Sequence, residues 1–323
     1  MTQTSVGEYK SAWEAQLLAF EESQHRKTLQ RLLLGARRNR LVVAGGLLGL
    51  VVLAGAVLGP VIFGSDYRSQ QLRNTHLPPF STAQLPDESQ QFYLFGTDHL
   101  GRDVAQRLFV GIRVSLLVAL GVTAISMVLG ILLGLIGGFS GGWRDRAIRG
   151  ITDFVWGFPL ILVAVLFTGG FGEGLFPVVL AVGLVNLAAI ARVVRGEVLV
   201  LKEREFIEAA RAGGFSSGRI MFRHILPNIL APTFVLASYY VAVAIIAEAA
   251  LSFIGLGAQP PLPSLGVMVA EGRNYLQVNH WESTIPGITV VLMVLSVSLI
   301  GDGLRDVFDP RLRHEAKRME SES

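Results

Sequence analysis

Apolar residues in this chain fall into long unbroken runs, with the polar residues gathered between them. About six runs reach the ~20 residues that a helix needs to cross a hydrocarbon core roughly 30 Å thick, near residues 41–64, 115–137, 151–169, 175–194, 230–256 and 285–301. None alternates apolar and polar positions over about ten residues, as a barrel strand would. The pattern predicts an all-α membrane protein with about six transmembrane helices. It divides the chain into an N-terminal extension (1–40), a first transmembrane helix (41–64), a loop (65–114), a core (115–304) holding a long polar loop (203–228), and a C-terminal tail (305–323).

Composition supports that reading. Of 323 residues 51% are hydrophobic and 16% charged, and the mean hydropathy of +0.50 is too high for an ordinary soluble domain. The first apolar run follows some forty polar residues and is too long for the core of a signal peptide, so an uncleaved anchor is expected. The chain has no cysteine, which excludes disulfides, thiol catalysis and thiolate metal sites.

Charge placement sets the orientation. Basic residues cluster before the first run (Arg26, Lys27, Arg31, Arg37, Arg38, Arg40), after the second (Arg144, Arg146, Arg149), between the fourth and fifth (Arg192 to Arg223) and at the end (Arg305 to Arg318). By the positive-inside rule these stretches and both termini are cytoplasmic, in a multi-pass protein of the plasma (inner) membrane of a bacterium or archaeon. Residues 65–114 are then external, although Arg68, Arg73, Arg102, Arg107 and Arg113 depart from the rule. In the extension, Trp13, Leu17 and Phe20 at helical spacing and Leu29, Leu32 and Leu33 among basic residues suit helices lying on the cytoplasmic membrane surface.

The cytoplasmic stretch EAARAGGFSSGRIMFRHILPN (208–228) is the most elaborate polar segment. It reads as helix, break, helix: good helix formers from Arg204 to Ala212, an interruption at Gly213 and Gly214, and Ser216 or Ser217 capping a second helix that ends at Pro227. Such a hairpin, with Glu208, Arg219 and Arg223 on its surface, suits docking on a soluble partner. A solvated inter-span loop is the alternative.

The same stretch resembles the EAA loop of ABC-importer permease subunits, whose pattern is Glu-Ala-Ala, three residues, Gly, nine residues, then Ile-x-Leu-Pro. Glu208, Ala209, Ala210, Gly214, Leu226 and Pro227 fit the spacing, with His224 in the place of the usual Ile. FGTDHLGRDVAQRLFVGIRVSL (95–116), AEAALSFIGLGAQPPLPSLGVMV (247–269) and GDGLRDVFDPRLR (301–313) are similar to signatures of the C-type permeases of oligopeptide, dipeptide and nickel uptake systems. The resemblance implies a type I importer permease carrying no cofactor and catalysing no reaction. It would form a translocation path with a second, related permease. Two ATP-binding subunits would supply ATP and Mg, an extracytoplasmic binding protein would deliver peptides, nickel chelates or glutathione-like solutes, and no nucleic acid would be involved. In that family the EAA hairpin seats in a groove of the ATPase. Glu208 would then meet a basic group there, while Gly213 and Gly214 would permit the tight turn and close approach.

Other chemistries find less support. GFSSG (214–218) matches the G-x-S-x-G elbow, but no strand precedes it. GFSG (138–141) resembles the serine motif of rhomboid-type proteases, yet all six histidines fall outside the apolar cores. None of the four lysines follows glycine, so no phosphate-binding loop exists here. An ion-coupled transporter or channel would place ionisable residues at membrane depth. Asp153, Asn186 and Glu248 are the candidates, of which Glu248, amid small and apolar residues, is the most costly. Glu248, Tyr239 and Tyr240 are candidates for lining a path; packing against a second permease or local hydrogen bonding are the alternatives.

Overall fold

A computed structural model describes residues 39–64, 66–85 and 88–308, with Gly35 and Arg37 ahead of them. The surface helices expected in residues 1–40 and most of the tail 305–323 lie outside the described residues. The order is α1 (Arg40–Ile62), a β-hairpin of β1 (Ser81–Gln84) and β2 (Gln90–Tyr93), α2 (Val104–Ser140), α3 (Gly142–Trp156), α4 (Leu160–Phe171), α5 (Leu175–Leu201), α6 (Glu205–Ala212), α7 (Ser217–Arg219), α8 (Leu226–Phe253), α9 (Leu265–Gly272) and α10 (Trp281–Phe308). The helices α1, α2 and α5, and α8 and α10 over most of their length, are long and apolar enough to cross a membrane.

Two boundaries differ from expectation. The third apolar run does not form one straight span: α3 and α4 meet at a 92° bend. The break holds Gly157, Phe158 and Pro159; Pro159 cannot donate a helix hydrogen bond and biases its predecessor away from helical angles. The second span is also longer than its apolar run. A helix of 37 residues extends about 55 Å, so α2 starts inside the stretch read as external loop. Its cap is Asp103, whose side chain accepts from the backbone N–H of Ala105 and Gln106. The polar loop ahead of α2 also contains strands: Ser81 pairs with Tyr93 and Gln84 with Gln90 in the antiparallel hairpin, a β element that the helical periodicity gave no reason to expect.

Small residues set the helix packing. Gly130, Gly134 and Gly138 form one stripe of α2, and a Cβ on any of them would lie 2.7–2.8 Å from Ile190, Ala191, Val194 or Val198 of α5. The two backbones therefore approach more closely than larger side chains would allow, as in membrane helix pairs built on small residues four apart. On the other flank, Ser296 of α10 donates a hydrogen bond to the Gly45 carbonyl of α1 at 2.8 Å, where a Cβ on Gly45 would collide with the α10 backbone. Arg113 of α2 caps the same assembly by donating to the carbonyls of Ala56 and Val57 of α1.

At the end of the bundle opposite the basic loops, a buried ionic cluster welds the loop before α2 to α9. Arg102 and Arg107 both donate to Asp98, at 2.6 and 3.1 Å, and both to Glu271, at 2.9 and 2.7 Å. Nearby, Glu282 in the first turn of α10 accepts from His76 at 2.8 Å and from Asn279 at 3.2 Å, and its other oxygen lies 3.6 Å from His99. That contact with Glu282 raises the pKa of His99.

Candidate functional site

The polar loop at the basic end is held from below and open above. Ile207 and Ala210 on one face of α6 are buried with Leu135, Ile190, Val194 and Val198, and Ile220, Ile225 and Ile229 enter the same cluster from the returning chain. Glu208 and Ala209 sit on the opposite face and are exposed. The three-residue spacing of Ile207 and Ala210 thus anchors one face of the helix while the residues between them, Glu208 included, point outward.

The turn after α6 is a Schellman motif. The N–H of Phe215 bonds to the carbonyl of Ala210 at 3.1 Å and that of Gly214 to Arg211 at 3.0 Å, the two crossed bonds that satisfy a helix C-terminus through a left-handed residue. Gly214 supplies that residue, with φ +75°. Gly213 does not: its φ is −73°, which any L-residue adopts. A Cβ on Gly214 would meet nothing within 4 Å, so backbone angle rather than crowding inside this chain requires glycine there.

Ser216 then caps the return by accepting from the N–H of Arg219 at 3.4 Å. The guanidinium of Arg219 lies 5.2 Å from the Phe215 ring, and that ring stacks on His224 at 5.8 Å. His224, at the position where the resembling pattern carries Ile, therefore contributes a flat surface to the turn. The second helix does not stop at Pro227. It passes through a π-helical turn, Ile220–Ile225, into α8. The widened turn places Pro227 in the first turn of α8, where a missing N–H costs little. Leu226 and Pro227 are half-buried.

A cavity of about 670 Å³ lies between α5, α8 and α10. Tyr239 lines it, with Thr233 and Ser238 of α8, Glu197 of α5, and Asp302 and Arg305 of α10. Tyr240 is buried in the neighbouring apolar cluster. Glu248 is not on the cavity: it has no exposed surface and accepts hydrogen bonds from Ser115 of α2 at 2.7 Å and Ser252 at 2.8 Å. Ser252 in turn accepts from the N–H of Ala258 at 3.3 Å. The carboxylate thus ties α2, α8 and the following loop together by local hydrogen bonds. Asp153 is paired at the surface with Arg192 at 2.7 Å, and Asn186 is buried between helices.

Among the described residues no group of three or more His, Asp or Glu side chains is placed to hold a metal ion. The ionic cluster was missed from the sequence, although the unexplained arginines of residues 65–114 marked it. Asp98 and Arg102 are spaced four apart, and Arg102 and Arg107, two of the five arginines that depart from the positive-inside rule, are neutralised within the chain.

Residues 130–314 match the family model described as "Binding-protein-dependent transport system inner membrane component". The chain is 38% identical over 277 residues to the dipeptide transport system permease protein DppC of Alkalihalophilus pseudofirmus, covering 86% of this chain and 88% of that one. It is 33% identical, with the same coverage of both, to the oligopeptide transport system permease protein OppC of Bacillus subtilis. It is 37% identical to the glutathione transport system permease protein GsiD of Pectobacterium atrosepticum, covering 85% of this chain and 89% of that one. Among solved structures, the inward-facing MetNI methionine ABC transporter is similar, with a TM-score of 0.53 at 20% identity over 63% of this chain and 97% of that one.

Proposed function

Because the chain belongs to the family of binding-protein-dependent transport system inner membrane components, we propose that it is a permease subunit of an ATP-driven importer for peptides. It pairs with a second, related permease to enclose the path. An extracytoplasmic binding protein delivers the solute, and two ATP-binding subunits on the cytoplasmic side bind ATP and Mg. Relatives named for dipeptide and oligopeptide transport support peptides as the cargo. The relative named for glutathione transport favours, as a second reading, a small γ-linked peptide.

The observation that carries this reading is the loop of 203–228, whose apolar face is locked into the ends of α2, α5 and α8 while Glu208 and Ala209 project outward. A rigid handle of this kind transmits a push from a bound ATPase to the spans instead of absorbing it. Glu208 and Ala209 meet the ATPase groove, Ala210 anchors the helix, Gly213 ends it and Gly214 makes the turn, and Leu226 and Pro227 fix the return into α8. The cavity beside Tyr239, open at the same end, is the cytoplasmic mouth of the path; Tyr240 backs it, and Glu248 fixes the helices around it.

Purification of a tagged chain from its native membrane tests the assembly. It should bring down a second permease and two nucleotide-binding polypeptides in stoichiometric amount. A chain that purifies alone and takes up solute on an ion gradient would replace this reading with an ion-coupled transporter.

A further inference from the structure

The right-angle bend after α3 leaves a helix with one polar side turned to the protein and one apolar side that nothing in the chain covers. Toward the protein, α3 turns Asp145 and Thr152, both buried, and Asp145 holds Arg195 of α5 through two bonds of 2.5 and 2.8 Å. Away from it, Trp143, Ile151 and Phe154 are 65–70% exposed, and with Ala147 they fall within one narrow sector of the helix at 100° per residue. Arg144 and Arg146 border this sector and are exposed. Among the described residues Arg144 and Arg146 form no ion pair; Arg149 reaches Asp145 at 3.4 Å. Trp156 falls on the opposite side, toward α5, with the guanidinium of Arg192 4.2 Å from its ring.

We propose that α3 is an interfacial helix that lies in the cytoplasmic leaflet and binds anionic phospholipid headgroups. Its exposed face combines Trp143 at one end, a bulky apolar stripe and two flanking arginines, the composition that holds a helix in the plane of an anionic interface. Helix lengths agree. The 12 residues of α4 span about 18 Å, short of a core roughly 30 Å thick. With α4 upright, the 92° bend puts α3 flat and several ångströms below the headgroups, where its apolar stripe meets acyl chains and its arginines reach up to phosphate.

The test uses the assembled transporter in nanodiscs. Because this chain has no cysteine, a spin label at Ile151→Cys or Phe154→Cys is its only one, once the partner chains are freed of reactive thiols. Both labels should be accessible to oxygen and shielded from a water-soluble nickel chelate, while a label at Asp153→Cys should be reached by the chelate. Shielding of the Ile151 and Phe154 labels from both agents would mean a protein cover, and chelate access to both would mean open solvent; either overturns the proposal. In native mass spectrometry, Arg144→Gln with Arg146→Gln should weaken phosphatidylglycerol retention about five-fold for each arginine and leave phosphatidylcholine retention unchanged. Equal retention of phosphatidylglycerol by the variant and the parent would show that the arginines do not recognise anionic lipid.

Discussion

Gly213 and Gly214 are adjacent and chemically identical, yet the geometry of the loop assigns them different consequences on substitution. At Gly214 the chain holds φ +75°, and an L-residue placed there costs about 1–2 kcal/mol, more if β-branched. No atom lies within 4 Å of the added Cβ, so the cost in the isolated chain is conformational and steric relief cannot reduce it. Such a cost lowers the population of the formed turn about 5- to 30-fold relative to its alternatives. At Gly213, with φ −73° and the nearest atom to an added Cβ being the Ala209 carbonyl at 3.4 Å, alanine fits. Gly213→Ala, Gly214→Ala and Gly214→Val should be compared at equal membrane abundance, reading binding-protein-stimulated ATPase activity and uptake in the full complex. The expected order of coupling is wild type equal to Gly213→Ala, then Gly214→Ala, then Gly214→Val. Equal damage from Gly213→Ala and Gly214→Ala would show that crowding by a partner, not the left-handed turn, governs the site, and full coupling in Gly214→Val would refute the turn argument itself.

The ionic cluster around Asp98 should be brittle: Arg107→Met leaves the Asp98 and Glu271 carboxylates sharing Arg102 alone and is expected to cost up to about 3–5 kcal/mol, seen as a lower melting temperature of the purified complex, with part recovered when Glu271→Gln is added. Glu248→Ala removes the acceptor of two serine hydroxyls and should destabilise by about 1–3 kcal/mol, whereas Glu248→Gln should keep assembly and uptake; lost uptake with intact assembly in the Gln variant would return Glu248 to the path. Burial pushes the Asp103 carboxyl from 3.8 to about 6, so the folded chain holds a proton that the unfolded chain releases. Stability contributed at this group therefore falls as pH rises through that window, and a melting series should show Asp103→Asn with a smaller decline than wild type. Ser216→Ala removes a cap worth about 1 kcal/mol and should largely retain transport; complete inactivity with the complex intact would mean the serine has a role beyond capping.

Hydropathy made the spans legible because apolar length is a property of each segment alone. The broken third span escaped it for the same reason: α3 and α4 share one apolar run, and only the Gly157–Pro159 interruption signalled the bend. The packing of α2 on α5 was written as Gly130, Gly134 and Gly138, a spacing of four that hydropathy averages away. In the loop of 203–228, the break at Gly214 and the cap at Ser216 followed from local chemistry. The continuation through Pro227 did not, because a π-turn changes the register before the proline and depends on Ile220 and Ile225 finding the buried cluster. Glu248 illustrates the other limit. Sequence marked it as costly at membrane depth, but its acceptance from Ser115 is a contact across 133 residues that no local pattern encodes.

The central claim is that this chain moves solute only when ATP hydrolysis on other subunits is transmitted through its cytoplasmic loop. The most direct measurement is uptake of a labelled dipeptide into proteoliposomes holding the complete complex and its binding protein, with wild-type chain or Glu208→Lys. The account predicts ATP-dependent accumulation with the wild type and its loss with Glu208→Lys, accompanied by weakened ATPase attachment. Unchanged accumulation with Glu208→Lys, or uptake by this chain without any ATPase subunit, would contradict it.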